Sequence, residues 1–438
     1  MTMIESGVPW IGKIPYEWMI RPVKALYSLT TGFTPSSEND SLYDDEGETW
    51  VTISDMKSDV VTDSKQKIAK SVAEQHRKDI AKAGSLLYSF KLSVGTVAFA
   101  GKDLFTNEAI AAFQPKTDNA DLRYLKYASS LIVGNANTNI YGATIMNQKL
   151  ILNAPLPLPP LEEQRAIYNY LDDRCAKLDE IITEAEKSIE EYKELKQAVI
   201  FEAVTKGLDK NVPMKGSGFH WVGDIPSHWK MMKLKYLLEK SDAGIKVGPF
   251  GSSFTNKTVG DGDYLIYGQA NVISRDFSKT KNSVTADVYH TLSRYDVVSG
   301  DICLSVIGNG TIGWCCTVPE NIKPGIMDSH LMKIRLNDLI INEFFELYYS
   351  KHYAGVCHTQ MQYEKTGIAM EGLNTRIVKG LWMAVPPVEE QQEIVEKMMP
   401  FIKNMDAIIS EKQSLIEDLK AYKKSLIYEV VTGKRRIS

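Results

Sequence analysis

Residues 308–313 run Gly-Asn-Gly-Thr-Ile-Gly, the G-x-G-x-x-G spacing that lets a backbone approach a pyrophosphate in dinucleotide-binding proteins. That chemistry needs the glycines to open a helix, whose N-terminal amides meet the phosphates. Here they lead into Trp314-Cys315-Cys316-Thr317-Val318-Pro319, which is β-prone and then stops. The expected structure is a tight turn between strands. A phosphate-loop near miss at Gly95 and Gly101-Lys102 is one residue too long, and Asp103 stands where Ser or Thr would bind magnesium. The seven histidines form no H-E-x-x-H, and no G-x-S-x-G occurs. His352 and His358 near Cys357 are read as core or surface residues rather than metal ligands. No Asn-Pro-Pro-aromatic tetrad of the kind that amino-methyltransferases use is present. The chain is expected to be no enzyme and to hold no cofactor or metal.

Amide-rich loops are the more informative chemistry. Gly134-Asn135-Ala136-Asn137-Thr138-Asn139-Ile140-Tyr141-Gly142 precedes one Pro-Pro junction, and Thr359-Gln360-Met361-Gln362-Tyr363-Glu364-Lys365-Thr366-Gly367 precedes another. Asn and Gln can pair bidentately with adenine edges, and Lys or Arg can reach guanine or phosphate. Candidate DNA contacts in the first half are Lys65, Lys67, Lys91, Asn135, Asn137, Thr138, Asn139 and Tyr141. In the second half they are Lys246, Ser252, Ser253, Gln269, Asn271, Asn309, Gln360, Gln362, Tyr363 and Lys365.

What must position these loops is written twice. Trp10-Ile11-Gly12-Lys13-Ile14-Pro15-Tyr16-Glu17-Trp18 recurs 211 residues later as Trp221-Val222-Gly223-Asp224-Ile225-Pro226-Ser227-His228-Trp229. Pro159-Pro160-Leu161-Glu162-Glu163-Gln164 recurs 227 residues later as Pro386-Pro387-Val388-Glu389-Glu390-Gln391. A weaker match sets 84–89 against 300–305, with Ser85 in place of Asp301. The chain is a tandem duplication, and the difference in offset puts about 16 extra residues in the second irregular unit.

After each Pro-Pro comes a long heptad pattern. Residues 161–206 contain neither Pro nor Gly, so a helix of about 70 Å is expected there. Its apolar rows carry Leu171, Leu178, Ile182, Ile189, Tyr192 and Val199; the second pattern carries Ile402, Met405, Ile409, Ile416, Leu419 and Leu426. Such rows at a/d spacing predict a coiled-coil seam. Ile394, Phe401, Ile408, Leu415 and Tyr422 widen the second face, as partners on more than one side would require. Pro400 predicts a kink or a restart near Met399. The units between the helices hold short apolar runs cut by Gly, Pro, Asn and Ser, which read as strands of mixed, mostly β domains, with helical patches at 121–132 and 339–352. The expected fold class is therefore α+β: 1–155 an irregular domain, 156–210 a long helix, 211–385 a second irregular domain and 386–438 a second long helix, the helices pairing.

Bulk properties agree with a soluble cytoplasmic protein. The chain has 438 residues, is 44% hydrophobic and carries net charge −4. No apolar run approaches the ~20 residues of a membrane span, the start has no secretory pattern, and five cysteines form no C-x-x-C pair. Residues 1–155 carry 16 basic and 17 acidic groups and 211–385 carry 18 and 16, so nucleic-acid binding would have to rest on local charge.

The duplicated I-P-x-x-W and P-P-[LV]-E-E-Q motifs with their heptad helices, over essentially the whole chain, resemble the specificity subunit of a type I restriction–modification system. The resemblance implies two target recognition domains, each reading one half of a bipartite site in double-stranded DNA. It implies that the two helices pair antiparallel, set the spacer and dock two modification (methyltransferase) subunits. S-adenosylmethionine would be the partner's cofactor, and restriction (translocase-nuclease) subunits could join. Two other readings stand beside it: a coiled-coil scaffold without DNA readout, and a nucleotide-cofactor enzyme built on 308–313.

Overall fold

The computed structural model describes residues 2–91, 93–138, 144–241, 244–249, 259–260, 262–278, 280, 282–308, 310–364 and 372–437. The chain divides into two compact units, one made of 1–185 with 414–438 and the other of 186–413. Each unit therefore holds one irregular domain and a stretch of both long helices.

In the first unit the central sheet has five strands in the order Tyr27–Thr31, Ile110–Pro115, Leu86–Ser89, Val97–Ala100 and Val60–Val61. All pairings are antiparallel except the last. Leu86, Leu87, Tyr88 and Phe113 are fully buried, as expected for strands covered on both faces. The corresponding sheet of the second unit runs Ile245–Val247, Leu331–Ile334, Ile302–Ser305 and Cys315–Thr317, all antiparallel. The expected runs at 86–90 and 301–307 are thus strands at equivalent places, each entered through a glycine at positive φ, Gly84 at 79° and Gly300 at 86°. The helical patches form Leu122–Ala128 and Asn342–Tyr349.

The first long helix spans Leu161–Lys206, 46 residues between Pro160 and Gly207. The second spans Val388–Val431 without interruption. A restart at Pro400 is thus overturned: the proline stands inside the helix. Pro400 is exposed, so the carbonyl it leaves unpaired, that of exposed Glu396, faces water. Met398 and Ile402, each 5% exposed, are buried on either side of it.

Within the first unit Leu171, Cys175, Leu426, Val430 and Val431 join the domain core, and Lys423 Nζ reaches Asp179 Oδ2 at 2.6 Å. Within the second unit Ile200, Val204, Ile394, Met398 and Ile402 do the same. There Lys196 Nζ lies 2.6 Å from Asp406 Oδ1, and Lys412 lies over the Tyr192 ring at 5.6 Å. The order of these contacts means that the two helical segments of that unit run in opposite directions. Of the heptad residues, Leu171, Ile182, Ile189, Ile402, Ile409, Ile416 and Leu426 are buried, whereas Leu178, Tyr192, Val199, Met405 and Leu419 are half-buried. Leu415 and Tyr422 of the widened face are exposed. No helix among the described residues is long and apolar enough to cross a membrane.

Candidate nucleic-acid interface

The duplicated motifs meet as a joint, once in each unit. Trp18 Nε1 donates to Glu163 Oε2 at 2.9 Å, and Trp229 Nε1 donates to Glu390 Oε2 at 3.0 Å. The tryptophan of I-P-x-x-W is thus tied to the second glutamate of P-P-x-E-E-Q. The glutamine that follows is fully buried in both units. Gln164 accepts from Asp121 N and donates to Asn119 O and Pro159 O; Gln391 accepts from Ile341 N and donates to Leu339 O and Pro386 O. One side chain satisfies three backbone groups that burial would otherwise leave unpaired. The end of the other long helix closes each joint. Gly433 leaves no room for a Cβ, which would fall 2.4 Å from Pro15, and Gly207 lies against Trp229 and Glu390. The joint fixes each irregular domain on its helical support.

A further repeated landmark escaped the sequence reading. Asn147 caps the short helix Gln148–Asn153 by accepting from Leu150 N, and Asn374 caps Thr375–Gly380 by accepting from Ile377 N. The two lie 227 residues apart, in the pattern N-[QT]-[KR]-[LI]-[IV]. Each follows the polar loop of its unit and precedes the strand that enters Pro-Pro, Pro155–Leu158 or Trp382–Val385.

In the first unit, Asn137 and Thr138 are exposed on a two-stranded ribbon with Thr144–Ile145, and Asn135 donates to Leu150 O at 2.7 Å. Asn139 and Tyr141 lie outside the described residues. Lys65 is exposed, Lys67 lies 3.7 Å from Asp63, and Lys91 lies 3.3 Å from Glu108. The Thr34 hydroxyl donates to Glu108 and, with Lys91, holds its carboxyl below the usual range, so Lys91 faces a carboxylate.

In the second unit Lys246 is half-buried on its strand. Gln269 donates to Ser305 Oγ at 2.8 Å and to Ile307 O, bracing the glycine turn. Gln362 is exposed and lies 3.0 Å from His358 Nε2. Asn271 and Gln360 are corrections to the candidate set. Asn271 is 4% exposed and spends its amide on Gly268 N and Asp276 O; Gln360 is 7% exposed and accepts from Trp382 N. Both are held inside the fold, where a base edge cannot reach them. Ser252, Ser253, Asn309 and Lys365 lie outside the described residues, as does the Tyr363 side chain.

The glycines at 308–313 form a turn: Gly308, Gly310 and Gly313 have φ of 106°, 81° and 91°, and the chain continues into the strand Cys315–Thr317. Among the described residues no helix opens there, whereas a dinucleotide's phosphates are met by the N-terminal amides of a helix. Among the described residues no group of three or more His, Cys, Asp or Glu side chains could hold a metal.

Comparison with known proteins gives a consistent result. A family model described as type I restriction modification DNA specificity domain matches residues 15–191 and again 226–418. The putative type I restriction enzyme MjaX specificity subunit of Methanocaldococcus jannaschii is 25% identical over 452 residues, covering 98% of this chain and 96% of the relative. The type I restriction enzyme EcoKI specificity subunit of Escherichia coli K12 is 22% identical, covering 96% and 90%. A solved chain from a study of complex assembly and conformational transition in a type I R-M system superposes with a TM-score of 0.70 at 14% identity, covering 96% of this chain and 99% of that one. The HsdS subunit from Thermoanaerobacter tengcongensis superposes with a TM-score of 0.50 at 16% identity, covering 96% and 98%.

Proposed function

The chain belongs to the family of type I restriction modification DNA specificity domains, and from that premise we propose how it serves as the non-catalytic specificity subunit of such a system. Residues 1–155 and 211–385 are two target recognition domains, and each reads one half of a bipartite site in double-stranded DNA. Residues 156–210 and 386–438 are the helices that pair as an antiparallel coiled coil, relate the two domains by a pseudo-two-fold axis and set the spacer. The observation that carries this reading is the joint itself. Trp18–Glu163–Gln164 and Trp229–Glu390–Gln391 attach each domain to a long helix by the same hydrogen bonds, so two differing recognition surfaces stand on one kind of mount.

Base readout falls to the loops that follow each domain's core. Asn137 and Thr138 on their exposed ribbon, together with Asn139 and Tyr141, serve the first half-site; Gln362, Tyr363 and Lys365 serve the second, with Ser252, Ser253 and Asn309 as further contacts. Lys65 and Lys246 are phosphate contacts. Lys67 and Lys91 contribute once their carboxylate partners give way. Asn135 and Gln269 brace the loops that carry the contacts.

Two methyltransferase subunits dock on the helices, where exposed Leu415 and Tyr422 supply apolar contact, and the partner brings S-adenosylmethionine. Restriction subunits join that complex in the cytoplasm. The test is selection of random duplexes by the full chain with its methyltransferase partner. A motif of two short fixed blocks separated by a gap of fixed length is expected. Enrichment of a single block, or of none, overturns the reading and favours a scaffold.

A further inference from the structure

We infer that each recognition domain carries a phosphate-binding shelf made of two short elements at its junction with the long helices, distinct from the loops assigned above to base readout. This rests on the DNA-reading function proposed for the chain. In the first unit the short helix Val23–Leu26 packs beside Gln148–Asn153. Lys24 Nζ donates to Asn153 Oδ1 at 2.8 Å, and Lys149 stands exposed two residues past the cap Asn147. In the second unit the 3-10 turn Leu234–Tyr236 packs beside Thr375–Gly380. Lys235, Arg376 and Lys379 are exposed there, and Lys233 and Arg376 line one cleft of about 460 Å³.

Three observations point to an anion. First, the cations recur at both offsets of the duplication: Lys24 and Lys235 are 211 residues apart, Lys149 and Arg376 are 227 apart. Second, residues 22–27, 147–154, 234–238 and 374–381 contain no Asp or Glu. Third, none of Lys24, Lys149, Lys235, Arg376 or Lys379 has an ion-pair partner among the described residues, and Lys24 is held by a neutral amide. Elsewhere on the same domain Lys67, Arg77, Lys82 and Lys91 each face a carboxylate. Exposed cations that keep no carboxylate partner, at equivalent places on two domains, suit the evenly charged phosphodiester backbone. Phosphate contacts position a protein on duplex and leave base choice to other groups.

The experiment compares the parent full chain, with its methyltransferase partner, against K24Q/K149Q and K235Q/R376Q/K379Q. The control, K177Q/K187Q, neutralises two cations that face Asp173 and Glu191 on the first long helix. Affinity is titrated against salt on a duplex carrying the selected site and on a scrambled duplex. Each lost phosphate contact makes the log–log salt slope about 0.9 less steep. The slope should fall by about two units for K24Q/K149Q and by about three for the triple variant. The loss should be equal on both duplexes, the selected motif unchanged, and the control at the parent slope. An unchanged slope in the variants while the parent still binds overturns the shelf and leaves the functional reading standing. So does an equal change in the control, or intact DNA binding with lost partner assembly. A parent complex that selects no bipartite site overturns both.

Discussion

The two recognition domains share a strand pair and fill it with opposite chemistry. In the first, Leu86 faces Phe113 and Leu87 faces Ala112; in the second, Ile302 faces Ile334 and Cys303 faces Lys333. That register equates Ser85 with Asp301, Ala112 with Lys333 and Gln114 with Arg335. The first domain closes the position with a neutral bond, Gln114 Nε2 to Ser85 Oγ at 2.6 Å. The second builds an ionic group: Arg335 Nε donates to Asp301 Oδ1 at 2.5 Å, and Lys333, 2% exposed, reaches Asp296 Oδ1 at 2.7 Å and Asp301 Oδ2 at 3.7 Å. The loss of Asp at Ser85 is therefore no defect of the motif, because its partner changed with it. Buried charges are tolerated only in matched sets, and at this place the two domains differ by a whole set rather than by a single residue.

The largest expected effect breaks the ionic set. Lys333→Ala leaves Asp296 and buried Asp301 short of a cation and should cost about 3–5 kcal/mol. Asp301→Ser alone should cost less, because Arg335 is one-third exposed and can turn to water. Adding Arg335→Gln, which transplants the first domain's pair, should recover part of that loss. Hydrogen exchange on the strands Ile302–Ser305 and Leu331–Ile334 reads all three variants, and a double variant no better than Asp301→Ser would contradict compensation.

The joints give a smaller, directional contrast. Glu390 has a second neighbour, His228 Nε2 at 2.8 Å, whereas Glu17 stands at the matching place in the first copy. Trp18→Phe removes a hydrogen bond to a carboxylate and should cost about 1.5–3 kcal/mol. Trp229→Phe should cost less, since His228 still reaches Glu390. Urea unfolding followed separately by probes in each unit tests the order, and equal losses would remove the asymmetry.

The smallest effect concerns the thiols. Cysteines 303, 315, 316 and 357 sit in the second unit and Cys175 in the first, all buried. Burial disfavours the thiolate, pushing Cys175 up to about 11 and Cys316 to about 12. At pH 8 all five should therefore resist a thiol reagent until the chain unfolds. Rapid labelling of the native chain would contradict this.

The elements most legible in the sequence were those with one dominant cause. A run without Pro or Gly between Pro160 and Gly207 gave the first long helix to the residue. The motifs gave the duplication, yet not the reason for it. Trp18 and Glu163 are 145 residues apart, and no periodicity links them. Asn271 and Gln360 show the opposite failure, since amides suited to reading bases also cap helices and satisfy buried backbone. The restart expected at Pro400 did not occur, because a propensity rule ignores the exposure of the freed carbonyl's residue, and Glu396 and Pro400 are both exposed here.

The central claim is a separation of tasks: the domains choose bases and the helices choose distance. Removing one heptad from each long helix, at positions that face each other, and mapping the methylated or selected sites tests it directly. Seven residues at 1.5 Å per residue span about three base pairs of duplex. The gap between half-sites should shorten by about that much while both half-sites keep their bases. Altered base preference within a half-site, or an unchanged gap, would contradict the account.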